Sequence, residues 1–245
     1  MAAAESCDAA PVSVSGAYEF SPARAGAARA AVELMEPGMT IGLGSGRAVW
    51  GVIEAIGARW PGPAQVRAVV ASEATYAIAH AAGIEVVQLS GEVELDLAVD
   101  GADEIDSRLR LLKGGGGALL REKIVASAAK RFVVVAEADK LVDRLGERFR
   151  LPVEIVRFGW RDTRRRFAPL LPDAERRAVG DEPYMTDEGH YILDCAIPAD
   201  ANPDELDRQI KLTPGVVEHG LFLDMAERAL LGRKDGGVDV LERGI

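Results

Sequence analysis

Gly38-Met39-Thr40-Ile41-Gly42-Leu43-Gly44-Ser45-Gly46-Arg47-Ala48 is the stretch that decides the fold class. A short apolar strand runs into a glycine-rich turn, and a helix follows over about residues 48–59. Val66 to Ala71 then reads as a second buried strand. Working outward, Pro22 to Met35 is Ala-rich and reads as a preceding helix. Ser72 and Gly83 are the N-cap and C-cap of a helix between them. Ile84 to Leu89, Leu95 to Val99 and Phe132 to Ala136 read as strands, and Ala118 to Lys130 as a helix. Strands alternating with helices make βαβ units and a mainly parallel sheet, so the class is α/β.

The texture changes near Arg150. Leu151 to Val156 and His190 to Ile197 read as strands, Arg161 to Arg177 as a charged exposed helix, and Asn202-Pro203 opens a short helix to about Leu212. That order lacks βαβ alternation and predicts a second, smaller α+β domain. Gly215 to Phe222 reads as a strand returning to the first domain. The expected division is a tail over 1–19, a larger domain from 20–150 and 215–245, and a small domain over 151–214.

The chain has 245 residues, 48% hydrophobic and 28% charged, which is globular rather than disordered or fibrous. With 29 basic and 39 acidic residues the net charge is −10, which argues against nucleic acid or an anionic membrane as partner. A small anionic ligand needs only a local site. The longest apolar run, Phe132 to Ala136, is far short of the ~18 residues that span a membrane. The first residues lack the basic region and apolar core of a secretory signal. Two cysteines, Cys7 in the expected tail and Cys195 in an apolar strand, make no disulfide framework and fit a reducing compartment. His80, His190 and His219 form no metal-ligand spacing and read as structural.

Three segments follow predicted strands and should converge at the carboxyl end of the sheet. The first is Gly42 to Arg47. Its backbone amides suit a phosphate at a helix N-terminus, and they equally suit a tight turn with no ligand. It is neither a dinucleotide fingerprint nor a Walker A loop. The second is Asp96-Leu97-Ala98-Val99-Asp100-Gly101-Ala102-Asp103. Crowded acids at a strand end repel, which holds a proton for acid/base work. An exposed acidic turn is the alternative, and Asp106 reads as the start of the next turn. The third is Lys113-Gly114-Gly115-Gly116-Gly117, leading directly into a helix. Its position argues against a flexible linker and for a nest of amides with Lys113 beside it. Glu122, one turn into that helix, reaches back to the same place. Lys140, beyond the strand 132–136, is a further candidate.

These segments, taken in order, resemble ribose-5-phosphate isomerase of type A. The matching strings are Ala98 to Glu104, Lys113 to Lys123, Leu151 to Glu154, Phe158-Gly159-Trp160, Tyr191 to Cys195 and Pro214 to Phe222, and the likeness covers about residues 22–235. It implies a Rossmann-like first domain with a small α+β lid domain. The implied reaction interconverts ribose 5-phosphate and ribulose 5-phosphate through an enediolate, with no metal and no organic cofactor. It implies Glu122 as the proton-moving base, and Lys113, Gly114, Gly115 and Gly116 as the sugar and enediolate site. Asp100, Gly101, Ala102 and Asp103 would contact hydroxyls and assist ring opening. Lys140 would be a substrate contact, and Ser45, Gly46, Arg47 and Ala48 the phosphate loop. A homodimer or homotetramer in the cytoplasm is expected on the same ground. The loop departs from the family's usual Thr-Gly-Ser-Thr: Ser45 keeps a hydroxyl, Ala48 lacks one, and Arg47 either replaces it on the phosphate or points to solvent. Other enzymes on related folds, or a sugar-phosphate sensor, are disfavoured by the retained Asp100, Asp103, Lys113 and Glu122 set.

Overall fold

The computed structural model describes residues 20–243, so the expected tail at 1–19 and Cys7 lie outside the described residues. α1 (Pro22–Val32), β1 (Thr40–Leu43), α2 (Arg47–Arg59), β2 (Arg67–Val70), α3 (Glu73–Ala81), β3 (Glu85–Val86) and β4 (Leu97–Asp100) come first. Two short strands, β5 (Glu104–Asp106) and β6 (Leu111–Leu112), lead to α4 (Leu119–Ala128), β7 (Phe132–Glu137) and β8 (Leu141–Val142). Then come β9 (Leu151–Ile155), α5 (Trp160–Phe167), β10 (Glu175–Arg176), β11 (Ala178–Val179), β12 (Glu182–Pro183) and β13 (Tyr191–Cys195). α6 (Pro203–Lys211), β14 (Val216–His219), β15 (Leu221–Phe222), β16 (Arg228–Gly232) and β17 (Val238–Glu242) close the order.

The central sheet has the strand order β17-β16-β7-β4-β1-β2-β3. Every neighbouring pair is parallel except β16 with β17. The chain steps outward from β1 to β2 and β3, then returns to β4 on the other side. The carboxyl ends of β1 and β4 therefore meet at a switch point, where open α/β sheets bind ligands. Period-two alternation sorts the strands' side chains into two cores. Leu97, Val99, Val133 and Val135 pack with Ala27 and Ile53 of α1 and α2. Ala98, Phe132, Val134 and Ala136 pack with Val125 of α4 and Phe222 on the other face. Burial on both faces explains why β1 and β4 carry consecutive non-polar residues, Ile41 to Leu43 and Leu97 to Val99, rather than an alternating pattern.

A third core belongs to an antiparallel sheet ordered β10-β13-β9-β14, onto which Phe167 and Leu171 and, from α6, Leu206 and Ile210 pack. The rest is a β11-β12 hairpin and a small sheet ordered β15-β6-β5-β8. The fold is α/β with a mostly parallel central sheet and additional small sheets.

Three expected elements differ. The helix over 161–177 stops at Phe167, because Pro169 cannot continue it, and residues 175–176 pair as a strand. The strand 84–89 shrinks to Glu85–Val86 at the sheet edge. The strand 215–222 is two strands broken at Gly220: Val216–His219 pairs with β9, and Leu221–Phe222 pairs with β6. Gly220 accepts from Lys113 N and donates to Pro152 O, both at 2.8 Å, and a Cβ there would strike the Lys113 carbonyl. Ser72 caps α3 by accepting from Thr75 N, and Gly83 takes φ +74° just after its end. Asp106 opens a turn, its Oδ1 accepting from the amides of Arg108 and Arg110.

Candidate active site

A cleft of about 190 Å³ opens at the switch point. Ser45, Gly46, Arg47 and Ala48 form one wall, between β1 and the first turn of α2. Gly101, Ala102 and Asp103 form a second, beyond β4, and Lys113, Gly114, Gly115 and Gly116 a third, beyond β6. Glu122 of α4 and Lys140, at the end of a short 3₁₀ turn after β7, complete the predicted set. Asp100 alone does not line the cleft. It lies behind it, 2% exposed.

That burial dictates the local sequence. Asp100 Oδ1 accepts from Gly101 N at 2.7 Å and Ser45 N at 3.2 Å, joining the ends of β4 and β1. A Cβ at position 44 would occupy the space of the Asp100 carboxyl, so only glycine lets the two strand ends close. Lys113 Nζ sits at the centre, 2.8 Å from Asp100 Oδ2, 3.1 Å from Glu122 Oε2 and 2.7 Å from Gly101 O. The Phe222 ring backs it at 5.3 Å. Asp103 Oδ2 accepts from Gly115 N at 2.8 Å, which pins the glycine loop to the β4 turn. One amide of the expected anion nest is thus already satisfied by the protein.

Two buried carboxyl groups flank one ammonium in a nearly dry place, with the half-buried Asp103 beyond them. Burial raises the Glu122 pKa, and the nearby Asp100 charge adds to it, taking it to about 8. Burial likewise raises Asp100, with Lys113 opposing. Burial disfavours the Lys113 charge, but Asp100 and Glu122 outweigh it and hold the ammonium protonated. A carboxyl with a raised pKa beside a fixed cation is suited to accept a proton and return it.

The sequence reading missed Arg24 and Glu137, which also line the cleft. Arg24 of α1 reaches Glu137 Oε2 at 2.9 Å, at the end of β7. The histidines stand apart from the cleft: His190 Nδ1 lies 2.9 Å from Glu154, and buried His219 Nε2 lies 3.2 Å from Asp207. Cys195 is a buried free thiol.

A family model described as ribose 5-phosphate isomerase A (phosphoriboisomerase A) matches residues 67–236. The chain belongs to the ribose 5-phosphate isomerase A family. The ribose-5-phosphate isomerase A of Thermomicrobium roseum is 46% identical over 220 residues, covering 89% of this chain and 92% of the relative. The solved ribose 5-phosphate isomerase of Plasmodium falciparum superposes with a TM-score of 0.84 at 33% identity, covering 91% of this chain and 98% of that one. A solved D-ribose-5-phosphate isomerase in complex with phospho-erythronic acid gives a TM-score of 0.84 at 32% identity, covering 90% and 97%. The cleft is thus that of a phosphoriboisomerase A family member, and the protein is an isomerase. Among the described residues no helix is long and apolar enough to cross a membrane.

Proposed function

We propose that this cleft interconverts ribose 5-phosphate and ribulose 5-phosphate, with Glu122 carrying the proton between the two reacting carbons. The observation that carries the reading is the Glu122 carboxyl held 3.1 Å from the buried Lys113 ammonium in the wall of the cleft. Removing a proton beside a carbonyl leaves an enediolate oxygen. The Lys113 charge and the glycine-loop amides stabilise that oxygen as its charge develops. Glu122 takes the proton from one carbon and returns it to the next, so the reaction balances without another reagent. Asp103, exposed to the cleft, contacts sugar hydroxyls and assists ring opening. Asp100 acts one step back by holding Lys113. The test is an isomerase assay with ribose 5-phosphate against other aldose phosphates: preference for another aldose phosphate would overturn the substrate assignment.

Arg24, Arg47 and Lys140 also line the cleft, as does the N-terminus of α2, and together they favour a phosphate dianion. Arg47 is exposed and has no ion-pair or hydrogen-bond partner among the described residues. In this reading its guanidinium replaces the hydroxyl absent at Ala48. Arg47→Ala is expected to weaken binding of phospho-erythronic acid by roughly 1.5–3 kcal/mol while leaving binding of unphosphorylated ribose unchanged. Calorimetry with both ligands at fixed ionic strength checks it; equal affinity of parent and variant for the phosphorylated acid assigns the phosphate to Ser45 and the amides.

The same proposal includes a small lid unit over 151–214 beside the larger one, a cytoplasmic location and self-association as a dimer or tetramer. Phe158, 94% exposed, and Leu212, 69% exposed, support self-association. Light scattering should then give two or four times the 26.1 kDa chain mass; a monomer at working concentration would overturn it.

A further inference from the structure

The hairpin between β10 and β13 grips the glycine loop from outside the cleft. Arg177 is the centre of that grip. One edge of its guanidinium meets Asp194 in a two-pronged pair, Nε to Oδ2 at 2.9 Å and Nη2 to Oδ1 at 2.6 Å. The remaining nitrogen, Nη1, donates to Gly114 O at 3.0 Å and Gly115 O at 3.1 Å. Tyr184 Oη donates to the next carbonyl, Gly116 O, at 3.2 Å. Three consecutive carbonyls are therefore drawn to one side by two side chains some 60 residues away. Lysine has no planar fork with which to serve a carboxylate and two carbonyls together.

The consequence lies on the other side of each peptide. The described peptides are all trans, and a trans unit points its C=O and N–H in opposite directions. The Gly114–Gly115 peptide shows this directly: its carbonyl meets Arg177, while its N–H meets Asp103 at 2.8 Å, in the cleft wall. The next peptide is held the same way by Gly115 O, so the Gly116 N–H is turned away from Arg177. Gly116 lines the cleft, and its N–H has no acceptor among the described residues. Glycine peptides flip with little steric penalty, and this loop has φ of +101° at Gly114 and +87° at Gly117. Asp103 on the Gly115 N–H and the Gly117 N–H on Gly114 O, at 3.0 Å, hold the ends of this turn, and Arg177 adds the hold on the Gly115–Gly116 peptide between them.

We propose that Arg177 is a positioning residue for the isomerisation, fixing the glycine loop so that the Gly116 N–H faces the enediolate. It does not line the cleft itself. The inference rests on the reading of the cleft given above.

Steady-state kinetics of Arg177→Met and Arg177→Ala, with Glu122→Gln alongside, test it. Arg177→Met is expected to lower kcat about 10–100-fold with KM for ribose 5-phosphate within about threefold, since the phosphate end is untouched. Millimolar guanidinium should recover part of the lost kcat in Arg177→Ala and none in Glu122→Gln. A folded Arg177→Met with kcat within about threefold of the parent overturns the inference. So does a loss in melting temperature or KM alone, which marks a merely structural clasp. If Arg177→Met does not fold, Asp194→Asn, which loosens the fork, takes its place: a fall in kcat supports the role, and parent kcat overturns it. Parent turnover in Glu122→Gln sinks the underlying reading, whereas its loss beside a parent-like Arg177→Met sinks only the positioning role.

Discussion

Glu122→Gln is expected to remove nearly all isomerisation and, at the same time, to make the protein more stable at alkaline pH. The first effect follows from chemistry: the amide keeps the shape but cannot accept the proton, and a general base is worth ~10²–10⁴ in rate. The second follows from burial. Glu122 is 6% exposed, and its pKa is raised from 4.5 to about 8 by burial and by Asp100. Between those two values the folded protein binds more protons than the unfolded chain. Stability therefore falls as pH rises through that window and levels off above the upper value. With glutamine at position 122 the Glu122 share of the fall disappears, and only the part that comes from the raised Asp100 remains. The expected gain at pH 8 is roughly 1–3 kcal/mol, absent near pH 4. Denaturant melts across that range, together with a kcat/KM profile of the parent that rises toward pH 8, check both halves. A variant that keeps parent turnover, or that loses stability at every pH, contradicts this assignment.

The distribution of what was legible has a physical pattern. Asp100, Asp103, Lys113 and Glu122 could be read because each sits in a compact string at a strand or helix end, where residue type and backbone break coincide. Their convergence needed only the general property of parallel sheets that strand ends share one edge. Arg24 and Glu137 could not be read, because their pairing joins residues 113 positions apart and neither local string is unusual. Arg177 was hidden more deeply: the segment around it has helical composition, and only Pro169 and the pairing of Glu175–Arg176 with β13 turn it into a strand facing the glycine loop. β16 and β17 went unread, yet β16 extends the sheet beside β7. The break at Gly220 shows the same limit, since a run of strand-forming residues gives no sign that the backbone passes between two sheets there.

Lys113→Ala is the harsher change, expected to damage catalysis and folding together. The side chain is 3% exposed, and among the described residues its ammonium is the one cation within ion-pair distance of both Asp100 and Glu122. Deleting one partner of a buried ionic group costs about 3–5 kcal/mol, because the remaining charges are left unpaired and dry. Here two carboxyls are left, and they escape the penalty by taking up protons. Lys113 lowers the pKa of both, so its loss moves both further above their ordinary values of 3.8 and 4.5. The folded variant then binds more protons than the unfolded chain over a wider window than the parent does. Its deficit in stability should be smallest near pH 4 and grow steadily as the pH rises. Turnover should fall by about 10²–10³, the loss typical of removing one group that stabilises a developing oxyanion, and KM should rise because the anionic sugar loses an attracting charge. Lys113→Met, which fills the same volume without charge, should reproduce both effects and so separates charge from packing. If Lys113→Met restores stability at pH 8, the cost came from the cavity. If either folded variant keeps parent kcat and KM, the ammonium takes no part in the reaction.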